Sequence, residues 1–177
     1  MESDRTRIQD PEAMGLDFYE RHVRNRDAFR ERNLAGHLVV KEEERPWQLC
    51  RQARLKYMMM PEFEDTALNN WWVFLEDIRT HSGKHRHQGG LVIFVVEGKG
   101  YSVVDGIRYD WEAGDLILLP HKPDGVEHQH FNADPGAGCK WLAFIYQPYW
   151  DLVAAEIVQM EVSPEWLAAN GQGGAAS

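Results

Sequence analysis

Cysteine is scarce in this 177-residue chain: Cys50 and Cys139 lie far apart and form no Cys-x-x-Cys pair. A disulfide framework is not expected, and a cytoplasmic location is the default. Basic charge is also short, since 19 Lys and Arg against 28 Asp and Glu leave a formal net charge of −9. Without a basic stripe a nucleic-acid partner is not expected, and an acidic surface favours solubility without naming a partner. No apolar run approaches the roughly 18 residues of a membrane span. The first twenty residues are polar and charged, so neither membrane association nor a signal peptide is expected.

What is present suits one domain, long enough to bury a core and carry helical flanks. Seven Trp, seven Phe and six Tyr are compatible with a packed interior or an aromatic-lined pocket. Residues 1–10 read as a polar arm. The pattern over 11–32 predicts a helix, with Asp10 as N-cap, Pro11 at the first position, and Met14, Phe18, His22, Val23 and Phe29 at roughly helical spacing. Asn33 and Gly36 then break it. A weaker helical stretch is expected over 46–56, ahead of Met58-Met59-Met60-Pro61, a triplet that reads as core filling or a subunit contact.

From Asn70 the texture changes to short β-type runs over 71–78, 85–87, 91–96, 101–104, 107–111, 115–119, 126–131 and 140–146. Gly, Pro or Asp closes each run, and Asp105-Gly106 is the strongest hairpin signal in the chain. Strands at this spacing argue a sandwich or barrel. Residues 150–158 are expected to be helical, and Ser163-Pro164-Glu165-Trp166 looks like the capped start of another short helix. The division read from this is a polar arm and helical extension over 1–66, a β-barrel over 67–148, and a C-terminal helical segment with a disordered tail over 149–177. No internal repeat is visible, so one barrel is expected.

Six of the eight histidines fall between His81 and His130. Alternate residues of a strand share a face, so His85 and His87 point together and Arg86 points away. Two imidazoles on one face are half of a metal site. His128 and His130 repeat the arrangement on a later strand, which can complete the coordination sphere if the sheet closes.

Gly114-Asp115-Leu116-Ile117-Leu118-Leu119-Pro120 reads as turn, strand and stop, and Pro123-x-Gly125-x-x-His128-x-x-x-Asn132 follows. Together they resemble the second motif of the cupin superfamily, and His85-x-His87 with the turn at Gly98 to Gly100 resembles the first. The resemblance spans residues 80–146 and implies a mainly β fold, a single cupin jelly-roll barrel (double-stranded β-helix) with an N-terminal helical extension and short C-terminal helices. Many cupins place a glutamate ligand four residues after the second histidine of His-x-His. That position is Leu91 here. Glu97 belongs to a turn and Glu127 should face away from His128, so what remains is a neutral three-His site.

The run His85-Arg86-His87, Val92 to Ser102, Gly106, Tyr109-Asp110-Trp111 and Gly114-Asp115 resembles gentisate 1,2-dioxygenases and their salicylate-cleaving relatives. That family also lacks the glutamate, binds Fe(II) through three histidines, and cleaves an aromatic ring beside a hydroxyl and a carboxylate that chelate the iron. The resemblance implies His85, His87 and His128 as ligands and His130 near the substrate. Fe(II) is the ion so implied, while ligand type alone leaves Mn, Ni, Zn and Cu open. His130 sits about 6–7 Å further along the strand than His128, where it can serve as a hydrogen-bond donor or as a general base near an unperturbed pKa of about 6.5.

Leu91, Ile93, Val95, Trp141 and Ala143 are expected to line the barrel interior by alternation, and Cys139 to be a small buried apolar residue. Arg79, just before the ligand strand, is the candidate to pair with a substrate carboxylate. His81 and His121 are rim candidates. The expected function is an Fe(II)-dependent dioxygenase of aromatic-compound catabolism that cleaves a C–C bond of a hydroxylated aromatic or similar chelating substrate. The alternatives are a non-redox metal-dependent isomerase, lyase or decarboxylase, and a non-catalytic ligand-binding cupin. The expected partners are a small-molecule substrate, O2 and further copies of the chain in a dimer or tetramer.

Overall fold

All eight runs of alternating texture form strands in the computed structural model, which describes Gly15 and residues 17–171. They are β3 (Trp71–Asp77), β4 (Lys84–His87), β5 (Leu91–Glu97), β6 (Lys99–Val104), β7 (Ile107–Glu112), β8 (Leu116–Leu119), β9 (Val126–Asn132) and β10 (Lys140–Tyr146). Three strands that the sequence did not announce join them: β1 (Gln48–Leu49), β2 (Arg54–Met59) and β11 (Val158–Glu161).

The strands form two antiparallel sheets, ordered β1-β2-β3-β10-β5-β8 and β11-β4-β9-β6-β7, the arrangement of a cupin jelly roll. Alternation decides what faces the interior. On β5, Leu91, Ile93 and Val95 are buried and Val92, Phe94 and Val96 are exposed. Trp141, Ala143 and Cys139 complete the buried set as expected. At the β6–β7 hairpin Asp105 and Gly106 both take positive φ, 49° and 81°, as a turn that continues the strand twist requires. The Asp105 carboxylate accepts from the Glu127 N–H at 3.0 Å and pairs with Lys122, which ties that turn to the strand carrying His128.

Two helical expectations are corrected. Over 46–56 the chain forms β1 and the start of β2, because Arg54 and Leu55 pair with Asp77 and Glu76 of β3, which buries Leu55. Pairing with a distant strand overrides the local pattern. Over 150–158 the helix α2 (Gln147–Leu152) ends early, with Ala154 at φ 48°, and Val158 and Gln159 then pair with Arg86 and His85 to cover the outer edge of β4. The short helix α3 (Pro164–Asn170) starts as expected, with Ser163 Oγ accepting from the Trp166 N–H at 3.3 Å.

The described residues up to Leu38, with Glu64–Leu68, group as a separate unit from the rest of the chain. Within it, helix α1 (Phe18–Ala35) is capped by Asp17, whose carboxylate accepts from the Glu20 N–H at 2.7 Å. It runs through Asn33 to Gly36, whose N–H bonds the Arg32 carbonyl at 2.8 Å. The expected cap at Asp10 and the polar arm lie outside the described residues, as does the tail beyond Gly171.

Candidate metal centre

Strands β4 and β9 are neighbours, with His85 opposite His128 and His87 opposite Val126. This register places the three imidazoles expected as ligands together, and their ligand atoms all lie within 4.8 Å of one another. The ring centroids of His85 and His87 lie 4.2 and 4.7 Å from that of His128. His87 and His128 are buried and His85 is half-buried.

The nitrogen atoms of the cluster suit a cation. The Val126 carbonyl accepts from His128 Nδ1 at 3.2 Å, which leaves Nε2 with a free lone pair and no partner. His85 Nδ1 is likewise buried without one. The Gly89 N–H donates to His87 Nδ1 at 2.9 Å from a backbone at φ 85°. His87 is thus the member that has to release a hydrogen bond or a proton to ligate. Burial lowers the pKa of His85 to about 4 and that of His87 to about 3, with neighbouring His85 adding to the latter. Burial, followed by the other cavity histidines, holds His128 well below its ordinary value. Neutral imidazole is the form a metal needs.

His130 lies on the same face, its ring centroid 5.4 Å from that of His128 and 5.1 Å from that of Trp141. Ser102 Oγ accepts from Trp111 Nε1 at 2.9 Å and lies 2.7 Å from His130 Nδ1, so its own hydroxyl proton is free to point at that nitrogen. His130 Nε2 is buried and has no protein partner. Burial, with His85 and His87 nearby, lowers this pKa to about 3. That lies well below the expected value near 6.5, which keeps the ring neutral at neutral pH.

The four histidines line one cavity of about 90 Å³, walled by Tyr57, Trp72, Phe74, Leu91, Trp141 and Trp150, among others. Leu91 is buried at the position where many cupins have a carboxylate ligand. Glu97 pairs with Lys140 and Glu127 with Lys84, so both glutamates are engaged elsewhere. Arg79 is exposed and does not line the cavity; its carbonyl accepts from Asn132 Nδ2 at 3.2 Å. His81 bonds Gln129 and packs on Phe131, and His121 packs on Tyr149, both away from the cavity.

Two residues of the site were missed from sequence. Ser102, whose hydroxyl meets His130 Nδ1, leaves no local signal. Glu76 has one: Trp72, Phe74, Glu76 and Ile78 share a face of β3 by alternation, so a carboxylate stands among inward aromatic residues.

Comparison with known proteins agrees with this architecture. Residues 74–145 match the family model for the cupin domain. A stretch of 53 residues is 38% identical to 5-aminosalicylate 1,2-dioxygenase from a Comamonas species, covering 30% of this chain and 13% of that enzyme. Salicylate 1,2-dioxygenase from Pseudoaminobacter salicylatoxidans, solved as its gentisate adduct, superposes with a TM-score of 0.51 at 17% identity over 76% of this chain and 35% of that one. The polyketide cyclase RemF from Streptomyces resistomycificus does so at 0.53 and 15% identity, over 72% of this chain and 88% of that one. At these identities the two structures share the fold. The segment 74–145 is thus a cupin domain resembling those of gentisate-type dioxygenases. Among the described residues no helix is long and apolar enough to cross a membrane.

Proposed function

We propose that the three-His cavity is the active site of an Fe(II)-dependent dioxygenase acting on a small chelating substrate, a hydroxylated aromatic or a compact hydroxyketone. The observation that carries this reading is the cluster itself: three neutral imidazoles with a buried Leu91 where a fourth, anionic ligand would stand. His85, His87 and His128 would hold the ion. Bound there, Fe(II) would supply a redox-active centre with positions open to substrate and O2.

The chain's own residues do the rest. Trp72, Phe74 and Trp150 present apolar surface to the ligand and keep bulk water out, which strengthens each polar contact inside. With Ser102 donating to Nδ1, His130 Nε2–H would offer a hydrogen bond to a ligand oxygen, and burial keeps the ring neutral. No Lys or Arg lines the cavity among the described residues, so a substrate carboxylate would be neutralised at the metal. At about 90 Å³ the cavity is smaller than the roughly 150 Å³ that accepts benzene. An aromatic ring therefore requires wall side chains such as Trp150 to move, whereas a hydroxyketone needs less.

Oxygen uptake by the Fe(II)-loaded protein against a panel of hydroxybenzoates and hydroxyketones tests the reading. Uptake that depends on substrate and on all three ligands supports it. Turnover without O2 on Mn, Ni or Zn would replace it with a metal-assisted isomerase, lyase or decarboxylase.

A further inference from the structure

Glu76 is only 3% exposed, on the β3 strand of the six-stranded sheet, whereas the histidines stand on β4 and β9 of the other sheet. It lines the same cavity as they do. Its strand partners are Leu55 and Trp141, and the Trp141 ring meets the His130 ring edge-on with centroids 5.1 Å apart. Oε1 has no hydrogen-bond partner in the protein, and the same holds for Trp72 Nε1, Trp141 Nε1 and His130 Nε2, which line this cavity too. Buried polar groups are nearly always paired, so a group of orphans around one cavity points to an occupant that pairs them.

We propose that Glu76 is a ligand-binding residue of this site, its carboxyl meeting an uncharged hydroxyl, carbonyl or amino group on the part of the ligand that reaches the six-stranded sheet. The inference rests on the reading of a chelating small-molecule substrate and names its class: a chelating head for the metal and a further uncharged hydrogen-bonding group. A second carboxylate is disfavoured by charge. Three neutral imidazoles leave a divalent ion with charge +2, a deprotonated hydroxy-acid head neutralises it, and among the described residues no cavity cation remains for a third negative charge. Burial raises its pKa well above the ordinary carboxylate range, which favours the protonated acid, a form that can donate. The titratable groups around it are Tyr57 on β2, Cys50 between β1 and β2, Cys139 before β10, and the four cavity histidines. Burial raises the first three and lowers the histidines, so none of them carries charge at neutral pH.

The test uses the full chain with Glu76→Gln and Glu76→Leu. An unpaired buried acid costs stability, so both variants should melt at or above the parent temperature with unchanged zinc content. Glu76 alone contributes a loss of stability as pH rises past the ordinary carboxylate range, where the unfolded chain has released a proton that the folded carboxyl keeps, so both variants should gain stability relative to the parent as pH rises through that range. On the zinc-loaded protein, tryptophan quenching is then read for two matched pairs, gentisate against salicylate and glycerate against lactate. The parent should favour the member with the extra hydroxyl by about tenfold, and Glu76→Leu should lose that preference. A preference that survives in Glu76→Leu overturns the proposal, as does lower melting of both variants, which would make the carboxyl a structural partner. If the parent binds neither pair, the chelating-substrate reading fails, and the melting comparison alone then decides for or against an unpaired Glu76.

Discussion

His85 and His128 face each other directly across β4 and β9, their ring centroids 4.2 Å apart and their planes at 66°. Cross-strand register, with alternation along β4 adding His87, is therefore what assembles the metal cluster. Because β9 also carries His130, the two histidines of that strand share a face while only one joins the cluster.

That difference sets the first expectation. His128→Ala, like His85→Ala or His87→Ala, should remove most of the metal, since two imidazoles cannot hold an ion as three do. His130→Ala should keep it and slow turnover by about 10- to 100-fold, the effect of one well-placed donor. Elemental analysis with rates for each variant checks this. Metal lost only from His130→Ala would reverse the assignment.

Leu91 is buried in the cavity wall. Leu91→Glu should retain metal, through a fourth and anionic ligand, and lose oxygenase activity as the carboxylate fills a position that substrate or O2 needs. Parent-like turnover in this variant would show that the position need not stay open.

Ser102 stands between Trp111 Nε1 and His130 Nδ1. Ser102→Ala leaves both without a partner, at a cost of about 1–3 kcal/mol for each group left unsatisfied. It also releases the His130 tautomer. Denaturant unfolding should show the loss of stability, and turnover should fall while metal content holds. Unchanged turnover would mean that the position of the His130 proton is immaterial.

The metal-free protein should weaken in acid. His85, His87 and His130 titrate near 4, 3 and 3 in the folded chain because burial disfavours their charged forms. Below about pH 6.5 the unfolded chain takes up protons that the folded chain refuses, so their contribution is complete above that value and is lost as pH falls towards 3–4. Each such group adds a slope of about 1.4 kcal/mol per pH unit. Urea unfolding of chelator-treated His130→Gln should show a shallower acid slope than the parent by about that amount. Equal slopes would mean that His130 is not held neutral by burial.

The strands from β3 to β10 were legible because local rules agree along them. Leu91, Ile93 and Val95 alternate with outward residues, and Asp105-Gly106 can serve only a tight turn. Strand β2 was not legible because Lys56, buried on the face opposite Leu55, reaches Glu42, and because Arg54 faces Asp77. With charges buried or paired on it, the run lacks the clean alternation of the later strands, and only pairing with β3 sets it as a strand.

The sequence by itself determined that His85 and His87 share a face, since strand alternation is a property of the backbone and needs no partner. It also marked where the chain turns. Only the tertiary structure decided what that face looks at. His128 lies 43 positions beyond His85, Ser102 reaches His130 from another strand, and Glu76 meets their cavity from the opposite sheet. No local pattern encodes such distances, because they are set by which strands pair and which sheet faces close over one core. The charge state of each group follows from the same cause. Burial in that shared cavity favours the neutral form of all four histidines and raises the pKa of the Glu76 carboxyl, and burial of that kind exists only once the sheets have closed.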